Sequence, residues 1–213
     1  MAREPAPLTA HDALSLQECV AGGGVAVVPT DTVYGLCCDP DDAAAIARLY
    51  ELKGRPPSRP AAVMFFALEP ALAALAGLAR AERRAVEALL PGALTLLLPN
   101  RGRLFTAACG LEPGTLGLRV PSLPGRLAAL RSLGIAVMQS SANISGEPDP
   151  RRLEEVPEGL LAGAALVLDG GELPGTPSTV LDLRDYERSG RWSVVRAGAL
   201  AEGVIRDKLR AGT

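Results

Sequence analysis

Histidine is almost missing from this sequence: His11 is the only one in 213 residues. Ser-His-Asp hydrolysis, histidine-based zinc sites and two-histidine metal centres are therefore poor readings. Lysine is nearly as scarce. Lys53 and Lys208 stand against twenty arginines, a bias that, with abundant alanine, reads as GC-rich coding and leaves the one mid-chain lysine conspicuous. Aromatic residues make up 3% and the formal net charge is −2, so there is neither a stacking platform for single strands nor a global positive field for nucleic acid or anionic membrane.

The four cysteines (Cys19, Cys37, Cys38, Cys109) form no CxxC pair and read as small buried hydrophobes in a reducing compartment. No Walker A pattern is present, and Gly22-Gly23-Gly24 precedes a strand rather than a helix, so P-loop and Rossmann nucleotide binding are unsupported. The longest apolar stretch, Ala61 to Ala79, is broken by Glu69-Pro70 and reads as strand then helix, not as a membrane span. Met1 to Pro7 has no apolar core of a signal peptide, so the expectation is a cytoplasmic protein with no membrane partner.

What is there is an ordinary globular composition, 48% hydrophobic and 22% charged, without repeats or low-complexity segments. Residues 1–10 read as a flexible lead-in and 11–213 as one catalytic domain with its core at about 25–200. A helix is expected from His11 to Gly22. A buried strand over Val25–Val28 ends at Pro29, and Thr30–Gly35 follows as a loop. A helix capped by Asp41 and Asp42 should stop near Lys53-Gly54, ahead of Pro56-Pro57.

Further strands are expected at Ala61–Phe66, Leu94–Leu98, Thr115–Val120, Ile135–Met138, Leu166–Asp169, Thr179–Leu183 and Trp192–Arg196, with helices over 70–79, 81–90, 125–132 and 201–209. About seven strands interleaved with helices give a single α/β domain with a twisted, mixed parallel and antiparallel sheet.

Polar clusters follow the ends of apolar strands, where loops present groups to a ligand. Thr30-Asp31-Thr32 offers two hydroxyls and a carboxylate, which suit a small polar ligand and equally suit capping of a turn. Lys53-Gly-Arg-Pro-Pro-Ser-Arg59 carries three cations fixed by prolines; it reads as a phosphate-gripping loop or as helix C-terminal charge complementing the dipole. Ser140-Ser-Ala-Asn-Ile-Ser-Gly146 suits phosphate oxygens or a hydrated metal ion, although serine-rich turns are common. Thr115, Arg119, Ser178 and Arg196 read alone as strand-end surface residues.

In order, PTDTVYGL, LKGRP, GLRVP, SSANISG, LDGG…PSTVLDL and VVRAGAL resemble the YrdC-like threonylcarbamoyl-AMP synthases from about Val25 to Leu200. The sequence is similar to the single-domain form, with too little chain after Leu200 for the extra C-terminal domain of some relatives. The resemblance implies a deep, positively lined cavity and an enzyme that condenses L-threonine, bicarbonate and ATP. It would release pyrophosphate and pass threonylcarbamoyl-adenylate to tRNA-modifying transfer proteins, with weak or no direct tRNA binding. Magnesium carried by ATP is implied, near Ser141 and Asn143, with no protein-held metal and no organic cofactor.

It further implies Lys53 and Arg55 as catalytic, holding phosphates and developing charge. Arg55, Arg59, Thr115, Ser141, Asn143 and Arg196 would meet ATP; Thr32, Arg119, Gln139 and Ser178 would meet threonine. One departure stands out: many relatives carry a histidine where this sequence has Met64, which cannot hydrogen-bond in its place. Two other readings are a non-catalytic RNA-binding module, which the charge and aromatic content oppose, and a carbamoyl-adenylate domain serving another acceptor.

Overall fold

A computed structural model describes residues 5–56 and 60–212. Helix α1 (Ala10–Ala21) starts on a reciprocal cap in which the Thr9 hydroxyl accepts the Asp12 amide and the Asp12 carboxylate accepts the Thr9 amide at 2.7 Å. The lead-in expected to be loose is tied down at Leu8, whose amide donates to the Arg126 carbonyl at 2.8 Å; residues 1–4 lie outside the described residues. Strand β1 (Ala26–Val28) stops at Pro29, and β2 (Gly35–Cys38) returns antiparallel to it. Helix α2 (Ala43–Leu52) begins where Asp42 accepts the amides of Ala44 and Ala45.

Then come β3 (Ala62–Phe65), α3 (Leu68–Ala74), α4 (Arg80–Leu89), β4 (Leu94–Pro99), the single turn α5 (Thr106–Cys109) and β5 (Thr115–Arg119). A 3-10 segment, Gly125–Ser132, leads to β6 (Ala136–Ser141). The chain closes with α6 (Glu158–Gly163), β7 (Leu166–Val167), β8 (Thr179–Asp182), α7 (Tyr186–Ser189), β9 (Ser193–Arg196) and α8 (Glu202–Ala211).

The nine strands among the described residues belong to one sheet, in the order β7-β1-β2-β6-β3-β5-β4-β8-β9. The pairs β1–β7, β3–β5 and β4–β8 are parallel and the others antiparallel, so the sheet is mixed, as expected. Alternation along the central strands divides two environments. Leu94, Leu96 and Leu98 of β4 and Leu116 and Leu118 of β5 are buried in the core, while Thr95, Leu97, Thr115, Gly117 and Arg119 line a cavity. Among the described residues no helix is long and apolar enough to cross a membrane.

Two expectations change. The stretch Thr30–Gly35 was to run on as loop, yet β2 begins at Gly35; Cys37 and Cys38 are both fully buried because this strand is covered on both faces. All four cysteines are free thiols, Cys19 being only partly buried. Strand β7 has two residues rather than four, because Asp169 turns the chain by accepting the Gly171 amide at 2.9 Å. Shortening Leu96 to Ala, between Leu118 and Leu181 on the flanking strands, is expected to cost about 2–5 kcal/mol. Urea midpoints of the two proteins measure it, and a loss below about 1 kcal/mol would mean the central core is loosely packed.

Candidate active site

The cavity of about 300 Å³ draws its walls from segments far apart in sequence, including Arg55, Thr115, Arg119, Gln139, Ser141, Ser178 and Arg196. Adjacent placement of β6, β3, β5, β4, β8 and β9 in the sheet brings them together. The floor is unobstructed where Ala62, Gly117 and Leu97 stand beside one another on β3, β5 and β4.

Arg119 is 3% exposed, and its guanidinium organises one end of the cavity. One terminal nitrogen donates to Gln139 Oε1 at 3.1 Å; the other contacts Thr30 Oγ1 at 3.0 Å, Asp31 Oδ1 at 2.9 Å and Thr32 Oγ1 at 2.5 Å. Asp31 is fixed in turn because its second oxygen accepts the Ser122 amide at 2.8 Å. Burial draws the Arg119 pKa down, with Asp31 opposing. The Nε–H is buried and meets no acceptor among the described residues. Gln139 reaches Arg119 across Gly35, where a Cβ would lie 2.5 Å from Gln139 Nε2; only glycine permits that approach.

Lys53 is turned away from the cavity lining. Its ammonium donates to the carbonyls of Ser141 and Asn143 and to Asn143 Oδ1 at 3.0 Å, while its own carbonyl accepts the Ser145 amide at 3.0 Å. It therefore shapes the serine-rich loop, in which Ser141 Oγ donates to Asn143 Oδ1 at 2.7 Å. Burial first and the Arg55 charge second pull the Lys53 pKa to about 8, with Asp149 opposing. Arg55 reaches the Pro60 carbonyl at 2.8 Å and Ser140 Oγ at 3.4 Å.

At the opposite wall Arg196 donates to the Ser178 carbonyl at 2.7 Å, and Ser178 Oγ lies 2.9 Å from Thr95 Oγ1. Gly198 lets these segments touch: a Cβ there would stand 2.3 Å from the Pro177 carbonyl oxygen.

Of the residues expected from sequence, Thr32, Lys53 and Asn143 stand behind the cavity wall rather than in it, and Arg59 lies outside the described residues. Met64 is fully buried and is not part of the wall, so the missing histidine leaves no gap in the lining. The LDGG segment has a structural role: Tyr34 Oη donates toward the Gly171 carbonyl at 2.8 Å and Asp169 at 3.1 Å and accepts the Gly170 amide. Sequence reasoning missed Thr95, Glu112 and Asp149 as cavity residues. A lone threonine inside the apolar run Leu94–Leu98 was the available signal for the first; nothing in the sequence marked the other two.

The Sua5/YciO/YrdC family model, described as "Telomere recombination", matches residues 18–198. The chain belongs to this family. Relatives named threonylcarbamoyl-AMP synthase are 36% identical over 165 residues in Bacillus subtilis and 35% identical over 167 residues in Chromohalobacter salexigens. The match covers 76% of this chain and 47% of the B. subtilis protein, and 78% and 89% for the C. salexigens one. This chain thus aligns with about half of the larger Sua5/YciO/YrdC relative and most of the smaller.

Among solved structures, E. coli YciO superposes with a TM-score of 0.78 at 27% identity, covering 94% of this chain and 96% of YciO. P. abyssi Sua5 complexed with L-threonine superposes with a TM-score of 0.77 at 29% identity, covering 94% of this chain and 58% of that one.

The lowered Lys53 pKa has a testable sign. Below about pH 8 the folded and unfolded chains both hold the proton, and the cost of burying the charge is full. Between about 8 and 10.5 only the unfolded chain holds it, so Lys53's contribution to stability rises with pH. Wild type should gain more than about 1 kcal/mol on Lys53→Met between pH 8 and pH 10. Parallel urea stabilities across that range would show the ammonium to be unshifted.

Proposed function

We propose that this protein condenses L-threonine, bicarbonate and ATP into L-threonylcarbamoyladenylate and releases pyrophosphate. The observation that carries this reading is Arg119: a buried guanidinium on the cavity wall, held by Gln139 and the Thr30–Thr32 loop, in a chain of this family. The carboxylate of a small amino acid suits a guanidinium on that wall, the hydroxyl of Ser178 and the amide of Gln139 suit its remaining polar groups, and Thr32 acts from behind the wall by holding Arg119.

In this reading ATP occupies the other end, over the Ala62-Gly117-Leu97 floor, with Thr115, Ser141, Arg196 and Arg55 around it; Arg59 is assigned to its phosphates from sequence alone. A carbamate oxygen formed on the threonine nitrogen attacks the α-phosphorus, and the bond to the bridging oxygen of pyrophosphate breaks. Negative charge builds on the departing group, and fixed guanidinium groups stabilise it without a covalent protein intermediate. Lys53 acts through position, holding the carbonyls of the Ser141–Asn143 turn and adding its field.

Among the described residues no group of three His, Cys, Asp or Glu could hold a metal ion. Magnesium is assigned as the counter-ion that ATP brings. Ser141 fits a place beside it, since its proton is engaged by Asn143 and its lone pairs remain. The product would pass to tRNA-modifying transfer proteins in the cytoplasm, with little direct affinity of this chain for tRNA.

The deciding measurement is pyrophosphate release with ATP, magnesium and bicarbonate, with and without threonine; release that ignores threonine would defeat the reading. Arg119→Ala should raise the threonine KM by about 10- to 100-fold with little change in the ATP KM, as loss of a charged hydrogen-bond donor implies. Arg55→Ala should lower kcat by about a hundredfold or more, and undiminished turnover would remove Arg55 from the reacting centre.

A further inference from the structure

The cavity that would receive two anionic reactants also contains carboxylates, and their circumstances differ. Asp31, behind Arg119, is fully engaged by that guanidinium and the Ser122 amide. Glu112 is exposed at the rim, within the field of Arg184. Asp149 lines the cavity, is half-buried, and has no hydrogen-bond or ion-pair partner among the described residues.

The backbone immediately after it is held at two points. The Pro150 carbonyl accepts the Tyr34 amide at 2.9 Å, and the Arg151 carbonyl accepts the Leu173 amide at 2.8 Å. The carboxylate is therefore carried on an anchored segment rather than on a waving loop. The Pro150–Tyr34 bond sets it beside the Thr30–Tyr34 loop that holds Arg119, and both Asp149 and Arg119 line the same cavity.

An acid at that point weakens the positive potential that gathers phosphates, so its presence calls for a cationic ligand group. The candidate that the chemistry offers is the α-ammonium of the amino acid. An α-amino acid carries opposite charges on one carbon, and a guanidinium with a carboxylate in one hollow complements both. We infer that Asp149 is the receptor for the substrate's α-ammonium group, pairing with it while Arg119 holds the carboxylate, and thereby selects an α-amino acid over the corresponding hydroxy acid. This inference rests on the assignment of threonine to the Arg119 end.

Asp149 is then a residue that chooses and orients the nucleophile. Held between Asp149 and Arg119, the nitrogen faces the open floor, where it must first release its extra proton to solvent before its lone pair can bond to carbon from bicarbonate, with water leaving. An asparagine in its place would still accept a hydrogen bond but would no longer answer the positive charge.

Calorimetric titration of the whole protein with L-threonine and with 2,3-dihydroxybutanoate, its counterpart bearing hydroxyl in place of the amine, separates the two assignments. Wild type should bind threonine at least tenfold more tightly than the hydroxy acid. Asp149→Asn should lose about 10- to 100-fold in threonine affinity, as expected when a charged hydrogen-bond partner is removed, and should bind the hydroxy acid as well as wild type does. Asp149→Glu should recover part of the preference. If Asp149→Asn binds threonine like wild type and still rejects the hydroxy acid, the role of Asp149 falls while the threonine assignment stands. If wild type binds no threonine, both fall together.

Discussion

A guanidinium removed from water must be surrounded by oxygens or it destabilises the fold, and Arg119 is surrounded. Its partners come from the loop after β1 and from β6, so one side chain on β5 fixes two separated parts of the chain around itself. Asp31 supplies the compensating charge, and the Ser122 amide keeps Asp31 from swinging away. The unmet Nε–H shows that the arrangement is complete for the fold but not for the guanidinium. Structure and chemistry meet at this group: the oxygens that make its burial tolerable also fix where the guanidinium meets the cavity.

The rest of the site follows a similar division between residues that touch the cavity and residues that hold those that do. Lys53 belongs to the second kind, since its ammonium is spent on the carbonyls and side chain of the Ser141–Asn143 turn. Tyr34 and Asp169 likewise join two loops without reaching the cavity. Motif residues are thus divided between chemistry and scaffolding in a way that residue type alone does not reveal. Arginine and lysine two positions apart have opposite orientations here, one facing the hollow and the other its supporting turn.

How much of this was legible in the sequence depends on the kind of signal. Apolar runs ended by proline or glycine located most strands, because burial and backbone sterics act locally. Strand β2 escaped because Gly35-Leu36-Cys37-Cys38 follows a polar turn and shows no alternation, both of its faces being covered by neighbours that periodicity cannot report. The motif order brought out the family and the arginines around the cavity. Asp149 and Glu112 were invisible, since a carboxylate in a Pro-rich loop looks like any solvated charge until the fold carries it to the wall. The importance attached to Met64 came from what relatives carry, and the structure moves that side chain into the core.

The sheet order places β6 between β2 and β3, and carries β8 and β9, the last strands to be made, against β4 at the far edge. A growing chain on the ribosome therefore cannot assemble the hollow by increments. Until Arg196 has emerged and Gly198 has let its strand settle on Pro177, one wall is missing, although the strands before it already exist. Pairings between partners so distant in sequence make slow steps in folding, so nascent chains would spend their early life with exposed sheet and no ability to capture nucleotide.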